Sequence, residues 1–259
     1  MYSEEDLRRR LTTNVFGHTI LIYDSINSTN ACAKIFANKG AEEGTVVLAD
    51  YQTAGRGRLG RSWLAEPGDN LLFSVIIRPT FNSDKLGFLS FFAATAIADA
   101  IEAVTALRCE TKWPNDVLLH NRKFCGILME SAFQSTALAY VIMGIGVNVN
   151  QQKFLGNLAG TATSLRNECN REFDRNDLFC KIMSSLESMF RDVKKGDFST
   201  VLMKWKARAT IFGQRISLTQ GAEVIDGTAI DLAADGGLLV ETETGRRVLY
   251  AGDVTLAIQ

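Results

Sequence analysis

The chain has 259 residues, 46% hydrophobic and 22% charged, with a formal net charge of −1. That length carries one sizeable domain plus a small one and buries a real core. The balanced charge excludes a protein that holds nucleic acid through a global basic field, so any anion site must be a local cluster.

The N-terminus reads Met-Tyr-Ser-Glu-Glu-Asp-Leu-Arg-Arg-Arg, which is no signal peptide. Ser3 caps a short helix with Glu4/Arg8, Glu5/Arg9 and Asp6/Arg10 as i,i+4 pairs. Thr19 to Tyr23 reads as a strand. Ser28 to Lys39 reads as a helix, capped by Ser28 and stopped by Gly40. Thr45 to Tyr51 is a second strand, 52–69 a glycine-rich loop, and Leu71 to Ile77 a strand ended by Pro79. Lys85 to Val104 is a long buried helix, too short in apolar run for the roughly 20 residues of a membrane span.

Three strands are expected next, at Cys109–Trp113, Asp116–Leu119 and Phe124–Ser131, with a polar turn at His120 to Lys123. Tyr140 to Val149 is another strand. Amphipathic helices follow near Asp177–Lys194 and Thr200–Ala209. From Arg215 the helical period disappears, and short β-runs are punctuated by Gln220-Gly221, Asp235-Gly236 and Thr244-Gly245. The fold class is therefore α+β, with a mixed-sheet domain over 1–210 and a small antiparallel β domain over 211–259. There are no repeats and no low-complexity linkers.

Five cysteines occur without a C-x-x-C pair, and two histidines cannot complete a zinc site with them. They read as reduced, mostly buried thiols of a cytoplasmic protein.

Four segments carry candidate chemistry. Gly55-Arg56-Gly57-Arg58-Leu59-Gly60-Arg61 matches G-x-G-x-x-G formally. No helix opens at its third glycine and no acidic residue follows about 20 positions on, so it is not a dinucleotide fingerprint. It can fold over an anionic ligand, sit in water as a basic loop, or touch RNA. Lys112-Trp113-Pro114-Asn115-Asp116 sets a cation and an acid in an apolar strand run, as a functional pair or a surface salt bridge. In Arg122-Lys123-Phe124-Cys125-Gly126, Gly126 allows close approach of a ligand or backbone. Lys123 there is a ligand contact or a solvated turn lysine. Ser28-Thr29-Asn30 opens a helix, where small polar groups can also bind a carbonyl or ureido oxygen. His18 and His120 have no nucleophile near them in sequence and receive no role.

In order and spacing, these segments resemble bacterial biotin–protein ligases. The resemblance rests on Ser28-Thr29-Asn30, Gln52 before the glycine–arginine loop, Trp63 after it, and Lys112 to Asp116. It continues through Arg122-Lys123, Gly126-Ile127-Leu128-Met129-Glu130 and Gly144-Ile145-Gly146-Val147-Asn148-Val149-Asn150. The C-terminal stretch is similar to the family's SH3-like β domain. The part before Ser28 is too short for the winged helix of bifunctional members, so a monofunctional enzyme without specific DNA binding is expected.

The resemblance implies activation of biotin with ATP and Mg²⁺ to biotinyl-5′-AMP, then transfer to a lysine of a biotin carboxyl carrier protein. It assigns Ser28, Thr29, Asn30 and Gln52 to biotin's ureido ring. Arg56, Gly57 and Arg58 would close over biotin and the adenylate phosphate, with Gly126 and Lys123 also at biotin. Lys123 and Arg58 are the catalytic candidates. Trp63, Lys112, Asn115, Asp116 and Asn148 are assigned to the nucleotide, with Mg²⁺ near Asp116. A lipoate ligase or octanoyl transferase of the same superfamily is the alternative. No membrane partner is expected, and the enzyme is a monomer or a homodimer.

Overall fold

The computed structural model describes residues 2–135, 137–220, 223–250 and 252–256. Helix α1 spans Glu4–Arg10, with Ser3 accepting a hydrogen bond from the Asp6 N–H. The Glu4/Arg8 and Asp6/Arg10 pairs form, but Arg9 pairs with Asp6 rather than Glu5. Asp6 thus lies one turn below both arginines, within reach of each.

The main sheet is built from β1 (Ile20–Ile26), β2 (Val46–Gln52), β3 (Leu71–Ile77), β4 (Glu110–Lys112), β5 (Asp116–Leu119), β6 (Arg122–Gln134) and β7 (Ala137–Val147). Its order is β1-β2-β3-β7-β6-β5-β4. Only β1 and β2 run parallel, because α2 (Thr29–Asn38) supplies the crossover between them. The other neighbours are antiparallel, with short turns joining β4 to β5, β5 to β6 and β6 to β7, so the sheet is mixed as expected.

Several elements differ in length from the sequence expectation. The turn before β6 shrinks to His120 and Asn121, both with positive φ, so Arg122 and Lys123 are strand residues. The β6–β7 hairpin extends to Gln134 and Ala137, past the apolar run that marks it in sequence. The long helix α3 begins at Phe88, not Lys85, because Ser83–Lys85 closes as a 3-10 turn.

The two faces of the sheet are covered unequally. On one face α3 (Phe88–Thr105), α5 (Arg175–Lys194) and α6 (Ser199–Arg208) bury Phe73, Phe91, Phe92, Phe179 and Trp205 in one apolar cluster. Each such side chain contributes about 1.5–3 kcal/mol relative to exposure. α3 is apolar enough over 18 residues to cross a membrane, but two thirds of it is buried in this core. On the other face α2 covers β1, β2, β3 and part of β7, through Ala33, Val47, Ile76 and Ile142, with Leu21, Tyr23 and Ile26 of β1 packed against them. The remaining part of that face, over β6 and β7, is a floor with glycines at 126, 144 and 146. The short helix α4 (Leu165–Cys169) follows the loop that walls this floor.

The C-terminal strands β8 (Arg215–Gln220), β9 (Glu223–Leu232), β10 (Leu238–Thr242), β11 (Gly245–Leu249) and β12 (Asp253–Leu256) form an antiparallel sheet ordered β11-β10-β9-β8-β12. Asp235-Gly236 and Thr244-Gly245 fall at turns as expected, and Gly221 lies outside the described residues. This sheet docks on α3 by the turn at Gly236. Its left-handed backbone packs on Phe88 and Phe91, and its carbonyl accepts from Trp113 Nε1 at 3.2 Å. The cysteines are unpaired. Burial pushes Cys109 up to about 12 and Cys180 up to about 11, which keeps both as thiols.

Candidate active site

Every residue to which the resemblance assigned a part in biotin or nucleotide binding lines one cavity of about 400 Å³ on the glycine floor. The floor follows from strand alternation. Residues 126 and 128 of β6 and 144 and 146 of β7 project to the α2 side, with Gly126 opposite Gly146 and Leu128 opposite Gly144. A Cβ on Gly126 would stand 2.7 Å from Trp63 Cζ3, and one on Gly146 2.6 Å from Trp63 Cε2. The absent side chains make room for a flat group, and in this structure the Trp63 indole fills it.

At one end the N-terminus of α2 points into the cavity. The serine cap read from the sequence is corrected here. Ser28 holds the cap position but makes no side-chain capping bond. Gln52, at the end of β2, reaches across instead, and its Oε1 accepts from Thr29 N at 2.7 Å and from Thr29 Oγ1 at 3.1 Å. The Asn30 amide is held at both ends. Its Oδ1 accepts from Ser74 Oγ at 2.6 Å, and its Nδ2 donates to Leu128 O at 3.3 Å and to Glu130 Oε2 at 2.7 Å. Asn30 lies over Gly144, where any Cβ would overlap its Oδ1.

The glycine–arginine segment folds as a miniature hairpin. Gly57 N donates to Arg61 O at 2.7 Å and Trp63 N to Gly55 O at 3.0 Å. Leu59 and Gly60 turn at its tip with positive φ. Gly55 is required by contact, since a Cβ there would lie 2.5 Å from Trp63 O. Arg58 and Arg56 tie the hairpin to the sheet. Arg58 Nη1 donates to Asn115 Oδ1 at 3.0 Å, and Arg56 Nη2 pairs with Glu130 Oε2 at 3.1 Å.

At the other end β5 and β6 supply charge. Lys123 Nζ pairs with Asp116 Oδ1 at 2.7 Å and lies 5.5 Å from the Trp63 ring centroid. Lys123 therefore belongs to the cavity and not to solvent. Its backbone is clamped by the wall loop, donating to Thr161 O at 2.8 Å and accepting from Thr163 N at 2.9 Å. Glu168 anchors that loop through Thr163, His120 and Arg122. Burial raises its pKa, but hydrogen bonds from Thr163 and His120 and the Arg122 charge outweigh it and hold the carboxyl below its ordinary range. Two buried polar atoms in the cavity, Trp63 Nε1 and Asn148 Oδ1, have no hydrogen-bond partner among the described residues. One is a donor and the other an acceptor, so both are available to a ligand. Lys112 completes this wall.

Comparison with known proteins accounts for the arrangement. A family model for the biotin/lipoate A/B protein ligase family matches 22–148, and one for the biotin protein ligase C-terminal domain matches 211–256. The bifunctional ligase/repressor BirA of Bacillus subtilis is 35% identical over 98% of this chain and 79% of its own. The chain belongs to the biotin/lipoate protein ligase family. Another member, the biotin–[acetyl-CoA-carboxylase] ligase of Paracoccus denitrificans, is 32% identical over 88% of this chain and 96% of its own. The structure is similar to that of the Aquifex aeolicus biotin protein ligase in complex with biotin and ATP. The TM-score is 0.80 at 28% identity, covering 93% of this chain and all of that one.

Within the family site, sequence reasoning left Ser74, Glu130, Gly144 and Gly146 without roles. Ser74 had a signal, being the one polar residue in the strand Leu-Leu-Phe-Ser-Val-Ile-Ile. A hydroxyl there needs a buried partner.

Proposed function

We propose that this protein is a biotin–[acetyl-CoA-carboxylase] ligase. It joins biotin to ATP as biotinyl-5′-AMP and transfers the biotinyl group to a lysine of a biotin carboxyl carrier protein. The observation that carries this reading is a single cavity with neutral hydrogen-bonding groups at one end and cations at the other, in a chain of this family.

The ends suit the two halves of the substrate pair. Ser28, Thr29 and Gln52 form a rigid polar end for a neutral ureido ring, and Asn30 braces it from below. The glycine floor takes the ring and chain of biotin, and the Trp63 indole yields that space toward the adenine. Asn148 Oδ1 is the acceptor for an adenine amino group, and Lys112 and Asn115 complete the nucleotide wall.

A carboxylate is a poor electrophile, so activation comes first. A biotin carboxylate oxygen attacks the α-phosphorus of ATP and pyrophosphate leaves. Lys123 and Arg58 face the charge that gathers there. The hairpin, with Arg56 and Gly57 facing the cavity, excludes water from the mixed anhydride. The carrier lysine amine then attacks the acyl carbon and AMP leaves. Mg²⁺ enters as part of the nucleotide substrate. Among the described residues no group of three His, Cys, Asp or Glu side chains could hold an ion, and Asp116 is the one carboxylate in the cavity wall. That suits an ion carried on phosphates with one protein ligand. Residues 1–210 would carry these steps, with 211–259 as a docked accessory domain. Buried, unpaired thiols and the need for ATP suit the cytoplasm.

The test is incubation with biotin and ATP followed by mass spectrometry for biotinyl-AMP. Its formation supports the reading. Octanoyl- or lipoyl-AMP formed in its place would move the chain to the lipoate branch of the family.

A further inference from the structure

Glu130 lies outside the cavity wall, yet it joins two parts of the site that no other side chain connects among the described contacts. Strand alternation puts it on the same face of β6 as Gly126 and Leu128, one step beyond the floor. A single oxygen, Oε2, accepts from Asn30 Nδ2 at 2.7 Å and from Arg56 Nη2 at 3.1 Å. Asn30 is 4% exposed and fixed in the first turn of α2. Arg56 belongs to the hairpin.

From Asn30 the polar contacts run on without a break. Ser74 Oγ lies 2.6 Å from Asn30 Oδ1 and 2.7 Å from Thr29 Oγ1. Thr29 in turn donates to Gln52 Oε1. One chain of six side chains therefore runs from the polar end of the cavity to the hairpin, through Gln52, Thr29, Ser74, Asn30, Glu130 and Arg56. We infer that Glu130 is a positioning residue: it orients the Asn30 amide that braces the biotin end and holds the hairpin closed through Arg56. This rests on the biotin-ligase reading above.

The shared oxygen makes the two roles separable. Glu130→Gln keeps a carbonyl oxygen for Asn30 but loses the charge that attracts Arg56. Glu130→Ala loses both. A bond that served stability alone would do little here, because an exposed ion pair contributes little to folding. It would also leave biotin affinity and intermediate retention unchanged in a folded variant.

The experiment uses the full chain. It measures the biotin KM in pyrophosphate exchange, the rate of biotinyl-AMP release from the preformed complex, and a thermal melt. Glu130→Gln is expected to keep its biotin KM within about twofold and release biotinyl-AMP about five- to tenfold faster, as loss of a charge-assisted bond implies. Glu130→Ala should add a biotin KM raised about tenfold. Arg56→Ala should release the intermediate as Glu130→Gln does, and the double variant no faster than either, since both cut one link.

Wild-type retention in a folded Glu130→Gln, or additive release in the double variant, would overturn the inference. If Glu130→Ala fails to fold, Glu130→Gln and Arg56→Ala decide alone. A wild-type chain that forms no biotinyl-AMP would instead sink the functional reading itself.

Discussion

Replacing Gly144 by alanine tests the geometry of the biotin end most directly. Gly144 sits in mid-β7, opposite Leu128 on one side and Ser74 on the other. An added Cβ would overlap Asn30 Oδ1 and stand 2.7 Å from Asn30 Cγ and 2.8 Å from its Nδ2. To restore ordinary contact the amide oxygen must retreat by more than about 1 Å, a shift that a close-packed interior resists. It cannot do so and keep the bonds to Ser74 at 2.6 Å and Glu130 at 2.7 Å. One neutral bond is worth about 1 kcal/mol and one to a carboxylate about 1.5–3. Overpacking adds about 1–3 kcal/mol. The expected loss of about 3.5–7 kcal/mol lowers Tm by roughly 7–28 °C in a chain of this size. The biotin KM should rise with it, because the brace under the ureido end has moved. Differential scanning calorimetry and biotin-dependent pyrophosphate exchange read the two effects. Asn30→Ala removes the overlapping group, so Gly144→Ala in that background should cost little more. A Gly144→Ala protein melting within about 2 °C of wild type, or simple additivity of the two changes, would refute the argument.

Lys123→Ala should reduce biotin-dependent pyrophosphate exchange by roughly a hundred- to a thousand-fold, the usual effect of losing one charged stabiliser. Its melt should fall only modestly, since the β6 backbone bonds remain; near-normal exchange would return Lys123 to an ordinary ion pair with Asp116. The 55–63 hairpin should be cut by trypsin in the free protein and protected with biotin plus ATP, and equal cleavage in both states would remove its closing role. The Glu168 carboxyl is held below its ordinary 4.5 in the folded state. Its contribution to stability is therefore complete above about pH 5 and is lost as pH falls through the lower folded value. Wild type should thus lose more Tm than Glu168→Gln between about pH 5 and 3, and parallel losses would show that Glu168 does not anchor the wall loop.

What could be read from the sequence was whatever depends on neighbours along the chain. A continuous apolar run gave β3 within its true bounds, and the loss of helical period from Arg215 marked the start of the strands at β8. The cavity residues were found because their motifs are contiguous. What escaped were contacts made across the fold. Ser28 looked like the cap of α2 because caps are judged from local chemistry. Gln52 takes that role from a different strand, and no local pattern announces it. Glu130 passed as a strand residue since its meaning lies in two partners far away in sequence. Lys123 on its own read as a turn lysine in water, because the tightness of the His120-Asn121 turn, and so the strand character of Lys123, appears only when β5 and β6 are paired.

The glycine floor also limits how this enzyme can diverge. A surface made of bare main chain has nothing to trim, so any replacement at 126, 144 or 146 can only add bulk. At those three positions acyl donors can be turned away but not newly admitted. A descendant that accepts a larger or differently shaped acid must gain its room from the opposite wall, through the hairpin, the Trp63 indole or the mouth of helix α2. Libraries aimed at analogues of the natural acid belong on those three elements, with the two central strands left as they are.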